Sequence, residues 1–295
     1  MKYQRKNKKF WGKRLGLAFF VCLLFLLGWL APRLPLFCLS EGPVRIYYPY
    51  GHQTLARQAL TESRVYLREM AAWLGLDAAD TAREAPAAEL TAGEKDSRPN
   101  LVREEKAGVR IVLGGPQPLS SIGSRRRTAG YYWRGLVVIC DPESENPPLS
   151  HELGHWLLDQ AAGGRELPRW FSEGFAQYAE YRLTGFTLPL TDGLTPPLSA
   201  DTDWAASRPG CAGVFSLSGL DPLFQREDTQ LWAYYLSFQA FEKLLQETNW
   251  QTIASILSEV RNGTLFADAF SSVTGWDFEI WAGKISSYFV EFPVE

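Results

Sequence analysis

The chain has 295 residues, 46% apolar and 14% aromatic, enough to bury a sizeable core, and it carries a net charge of −3. Seven bases and no acid lie in the first fourteen positions (Lys2, Arg5, Lys6, Lys8, Lys9, Lys13 and Arg14), which leaves about −10 for the rest. That balance excludes nucleic acid as the main partner of the folded part, and the apolar content excludes a wholly disordered chain.

Residues 1–14 read as a basic cytoplasmic tail and 15–36 as a transmembrane signal-anchor. Leu15 to Ala31 runs LGLAFFVCLLFLLGWLA without a charge, at the lower limit of about 17 residues for a spanning helix. Positive residues stay on the cytoplasmic side, so the domain expected over 41–295 is extracytoplasmic, held at the cell membrane by a single pass. The alternative is a cleaved signal sequence and a secreted domain, with Cys38-Leu39-Ser40 as the best small-x-small site, far beyond the apolar core. Cys22 lies in the apolar span. Cys38, Cys140 and Cys211 show no C-x-x-C spacing, so they read as buried thiols, with a Cys140–Cys211 disulfide as the alternative.

Val44 to Tyr48 alternates like a strand, and a helix follows from Gln53 to Leu74 with Gly75 as its stop. His52, in the turn between them, reads as a loop histidine, with metal ligation as the sharper alternative. Residues 77–106 are rich in Ala and charge, with almost no large apolar side chain, and read as a disordered insertion, with a lid over a cleft as the alternative. Val109 to Leu113 is a second strand closed by Gly114-Gly115-Pro116. Arg125-Arg126-Arg127 sits in a polar loop, solvated by default, with recognition of an acidic group as the other reading. Gly130 to Trp133 and Leu136 to Cys140, joined by Arg134-Gly135, read as a hairpin.

Asn146 followed by Pro147 then predicts a helix start, and Gly163-Gly164 its end. That helix carries His151-Glu152-Leu153-Gly154-His155. Four residues along a helix are about 40° and roughly 6 Å apart, so His151 and His155 can reach one metal ion. Glu152, beside them, is placed to act as general base in metal-assisted hydrolysis. Gly154 costs the helix roughly 1 kcal/mol against alanine, which predicts that another element packs close there.

Zinc in a hydrolytic site takes three protein ligands and keeps one position for water. Leu167 to Glu180, LPRWFSEGFAQYAE, reads as a second helix with Glu173, Gln177 and Glu180 along one face. Glu173 is the candidate third ligand; the bland alternative makes all three a solvated face.

HELGH followed by WFSEGFAQYAE resembles the gluzincin zinc metallopeptidases, the group of thermolysin and the aminopeptidase-N-like enzymes, and within it the small bacterial peptidase MA-like family. The resemblance covers His151 to Glu180. It implies His151, His155 and Glu173 as ligands of Zn2+, Glu152 as the base and Gln177 as a supporting residue. The gap between His155 and Glu173 is 17 residues and no G-A-M-E-N-like segment is present, which points to an endopeptidase rather than an aminopeptidase.

The stretch 188–219 is rich in Pro, Ser and Gly, and 228–295 reads as a helical subdomain. Its first helix runs from Asp228 or Thr229 to Glu247; Asn249, Thr264 and Asp277 cap three more, and Gly263 and Gly275 end two of them. Trp232, Trp250, Trp276 and Trp281 are expected in the core. Ala233 to Phe238 resembles the family segment that places a tyrosine near the metal. Tyr234 is the candidate oxyanion donor, while Tyr235 fits core packing better. The expectation is an α+β gluzincin-like metallopeptidase domain, a small mixed sheet before the metal helix and a helical half after it, acting on a peptide or protein substrate. The alternative is a noncatalytic zinc-containing module of the same fold that binds a cell-envelope partner.

Overall fold

The computed structural model describes residues 37–76, 108–115, 129–186, 217–225 and 230–290. The expected signal-anchor over 15–36, the insertion over 77–106, the basic run at 125–127 and Cys211 lie outside the described residues. Among the described residues no helix is long and apolar enough to cross a membrane.

The fold is mixed α/β: a five-stranded mixed sheet and, among the described residues, eight α-helices. The strands are β1 (Phe37–Glu41), β2 (Val44–Tyr48), β3 (Val109–Leu113), β4 (Gly130–Trp133) and β5 (Leu136–Ile139), in the order β1-β2-β3-β5-β4. β2, β3 and β5 run parallel, and β1 and β4 are antiparallel edges. Alternation sets the inner face. Val44, Ile46 and Tyr48 of β2, and Val109, Ile111 and Leu113 of β3, point into the core, while Arg45, Tyr47 and Arg110 between them do not.

α1 (Gln53–Trp73) and α2 (Leu149–Ala161) supply the other side of that core, through Ala56, Leu67 and Met70 from α1 and Leu149, Leu153 and Trp156 from α2. α3 (Arg169–Thr184) packs on α2. A short turn of helix at Leu217–Leu220 and α4 (Asp221–Phe224) precede α5 (Gln230–Glu247), α6 (Trp250–Arg261), α7 (Phe266–Thr274) and α8 (Phe278–Val290).

Two helix starts differ from expectation. α2 begins at Leu149 with Pro148 at the cap and no side-chain cap, not at Asn146-Pro147. Pro148 excludes its predecessor Pro147 from the helical region, so the helix starts beyond the second proline. α7 is capped by Leu265, because the Thr264 hydroxyl turns back to Glu259 Oε2 at 3.2 Å. Asn249 and Asp277 do cap, accepting from the Thr252 and Ile280 amides at 2.9 Å each. β1 lies before the expected start of the domain at residue 41 and pairs along its whole length with β2. Of the four tryptophans expected inside, Trp281 is buried, Trp250 is half-buried and Trp276 is 36% exposed in the turn after Gly275; the Trp232 side chain is outside the described set.

The hairpin is tied to α2 by Tyr132. Its hydroxyl donates to Asp159 Oδ2 at 2.6 Å and accepts from the Gly135 amide at 2.9 Å, and burial together with Asp159 pushes the phenol pKa up. Tyr132→Phe is expected to cost about 1.5–3 kcal/mol, the range for a hydrogen bond to a charged group. Urea unfolding of the two proteins checks it, and equal midpoints would remove the tie.

Candidate metal centre

α2 presents His151 and His155 on one face, and α3 brings Glu173 against them. His151 Nε2 and His155 Nε2 are 3.2 Å apart, and Glu173 Oε2 stands 3.5 Å from the first and 3.3 Å from the second. An ion bound tetrahedrally at about 2.0–2.1 Å separates adjacent donor atoms by about 3.3–3.4 Å, so the triangle has the size of one face of such a site. Glu173 Oε2 is buried and has no hydrogen-bond partner. A lone carboxylate oxygen buried against two ring nitrogens is costly, and a shared cation resolves it. Among the described residues, His151, His155 and Glu173 form the group able to hold a metal ion. Two imidazoles and a carboxylate suit several divalent first-row metals.

Each ring is held from behind, as ligating histidines generally are. His151 Nδ1 lies 2.9 Å from the Gln177 amide and 3.6 Å from Glu180 Oε2, and His155 Nδ1 lies 2.9 Å from Ser172 Oγ. Gln177 Nε2 is the atom that faces Nδ1; with that amide turned over, its oxygen would accept from Nδ1–H and His151 Nε2 would keep its lone pair for an ion. Glu173, Gln177 and Glu180 are all buried, so they do not form a solvated face. Ser172 and Arg169 escape the sequence reading, although both lie on the helix that carries Glu173, and Glu180, read there as part of the Glu173 face, is not marked as a support for His151. Their role depends on which way a helix faces, and only packing decides that.

The electrostatics favour positive charge at the centre. Burial opposes a charge on His151, yet Glu173, Glu180 and Glu152 outweigh it and hold its pKa well above the ordinary value. Burial likewise opposes ionisation of Glu173, and the two imidazoles hold its carboxyl well below the usual range. A pocket that draws a proton onto a buried imidazole also draws a dication, which competes with that proton. Glu152 is 5% exposed. Burial raises its pKa, His151 and His155 oppose, and Glu173 and Glu180 add. A carboxylate tuned this way exchanges protons closer to neutrality than an exposed one.

Tyr234 of α5 closes the other side, its ring centroid 6.3 Å from that of His151. Burial, then the charge of Glu173, keeps its phenol protonated, with Arg169 opposing. Tyr234 and Tyr235 both pack against the core. His52 is not part of this group; its Nε2 lies 3.9 Å from Glu143 Oε1. Cys140, at the end of β5, has its thiol pushed up to about 11 by burial, then by Glu152 and Asp141.

The helices that carry the site touch through glycines. A methyl on Gly154 would stand 3.2 Å from Ala176 Cα, so the element expected to pack there is α3. A methyl on Gly174, next to Glu173, would stand 2.3 Å from the Ser237 carbonyl oxygen of α5. On the sheet side, a methyl on Gly130 of β4 would lie 3.2 Å from Glu152 Cγ.

No protein-family model matches the chain, and no curated protein matches it significantly.

Proposed function

We propose that the chain is a membrane-anchored, extracytoplasmic zinc metallopeptidase of the gluzincin kind, cleaving peptide bonds within extended segments of protein substrates. The observation that carries this reading is the convergence of His151 Nε2, His155 Nε2 and Glu173 Oε2 at ligand spacing with Glu152 buried beside them. The HELGH and SEG spacing and the uncharged run from Leu15 to Ala31 support the family and the anchor.

His151, His155 and Glu173 would hold the ion. Zinc there supplies a Lewis acid for the peptide carbonyl and lowers the pKa of water to about 7. Glu152 accepts the proton of the attacking water and returns it to the leaving amine. Tyr234 donates its hydroxyl to the carbonyl oxygen as negative charge builds there. Gln177, Glu180 and Ser172 hold the imidazoles in place. β4 ends the sheet among the described residues, so an extended peptide can lie along it next to Glu152.

The test is cleavage of a mixed peptide library by the full chain in detergent, with its metal content measured and a metal-stripped sample run alongside. Stripping is expected to abolish cleavage and lower Tm. Zinc returned to 100 times its Kd restores about 2.7 kcal/mol of stability together with activity. A chain that takes up no divalent metal, or cleaves equally well without one, overturns the proposal.

A further inference from the structure

Arg169 is not used by that chemistry, yet it touches Glu173, which is. It opens α3 one turn before Glu173. Its Nε donates to Glu173 Oε1 at 3.4 Å, while Glu173 Oε2 faces the two imidazoles. The same guanidinium lies 4.2 Å from the ring centre of Phe224 in α4. A guanidinium over an aromatic face has its plane set by the ring, and its fork can hold two acceptors at fixed angles, which an ammonium cannot. Ion pairs four residues apart on helix surfaces are common and weak. Here, however, the partner carboxylate is 12% exposed and belongs to the metal group, and a second helix, α4, bears on the same cation through Phe224.

We infer that Arg169 is a positioning residue for the metal centre: by occupying Oε1 it leaves Glu173 one oxygen to give the metal. The inference rests on the metal-site reading above. Without Arg169, Glu173 is free to turn and offer both oxygens. The change acts at the metal centre rather than on the peptide cleft as a whole.

The test compares the full chain with Arg169→Met and Arg169→Lys, after circular dichroism and thermal melts show which variants fold. Zinc affinity is read by competition with a chromophoric chelator, and coordination by the visible spectrum of the cobalt(II)-loaded proteins. Arg169→Met is expected to weaken zinc about 10–100-fold, the usual loss when a supporting contact of a ligand is removed. It should also weaken the cobalt bands as the ion moves from four toward five donor atoms. Arg169→Lys restores neither. In peptide cleavage the loss falls on kcat, with KM little changed. A folded Arg169→Met with wild-type zinc affinity and cobalt spectrum overturns the inference, as does full rescue by lysine. Affinity and spectrum need no substrate, so a chain that binds metal but cleaves nothing would sink the peptidase reading while these two readouts still decide the role of Arg169.

Discussion

Glu152→Gln is expected to leave metal binding intact and to lower peptide cleavage by about 100–10,000-fold, the range for losing a positioned proton-transfer group. The amide keeps the shape and packing of the carboxylate between the two histidines but cannot accept the proton of the attacking water. Stability makes a second, independent readout. The Glu152 pKa is raised above its ordinary value, burial being the first cause. A carboxyl of this kind favours the fold below its unfolded pKa, and that contribution is lost as pH rises through its folded pKa. At neutral pH the metal-free protein therefore holds an unfavourable charge that glutamine removes. The metal-free variant should melt above wild type at pH 7, with the gap closing as pH falls into the ordinary carboxyl range. Equal turnover with bound metal would exclude Glu152 as the base, and loss of metal from the variant would show that it does not act separately from the ligands.

Gly174→Ala should be the most damaging change to stability, about 3 kcal/mol or more, since overpacking of this kind reaches beyond what side chains can relieve. The clash is with backbone: the new methyl would stand 2.3 Å from the Ser237 carbonyl and 2.8 Å from Phe241 Cβ. α3 and α5 must separate to admit it, and Glu173 is the adjacent residue. Tm should fall by roughly 6–12 °C, and zinc affinity should fall with it. Gly154→Ala is the milder control. Its nearest contact is 3.2 Å, and alanine recovers up to about 1 kcal/mol of helix propensity. Thermal and urea unfolding of the pair check the ranking; a Gly174→Ala protein as stable as wild type would mean that α3 and α5 are not held this closely.

The features legible in the sequence are those that repeat locally. The i, i+4 histidines, the strand alternation at Val44–Tyr48 and Val109–Leu113, and the cap at Asn249 each depend on a few neighbouring residues. Even Gly154 signalled its close neighbour, because a glycine inside a buried helix needs a reason. What escaped depends on the far side of a contact. The position of β3 between β2 and β5 follows from two crossovers that no local pattern encodes. β1 is five residues with mostly exposed side chains, so alternation had little to mark. Nothing local marks Arg169, and only the placement of Phe224 on another helix gives it a setting. The displaced start of α2 was readable: two prolines in a row leave only the second able to border a helix.

The register across the sheet places two distant parts of the chain in one row. Phe37 pairs with Tyr48, the β2–β3 register continues that row to Leu113, Leu113 pairs with Ile139, and Ile139 pairs with Gly130, which abuts Glu152. Four interstrand steps of about 4.8 Å make the row about 19 Å long. The sheet is thus a crossbar, with Phe37 at one end and the candidate metal centre hung from the other. Under the function proposed above, whatever fixes the chain ahead of Phe37 would also set the level and sideways offset at which a substrate is met.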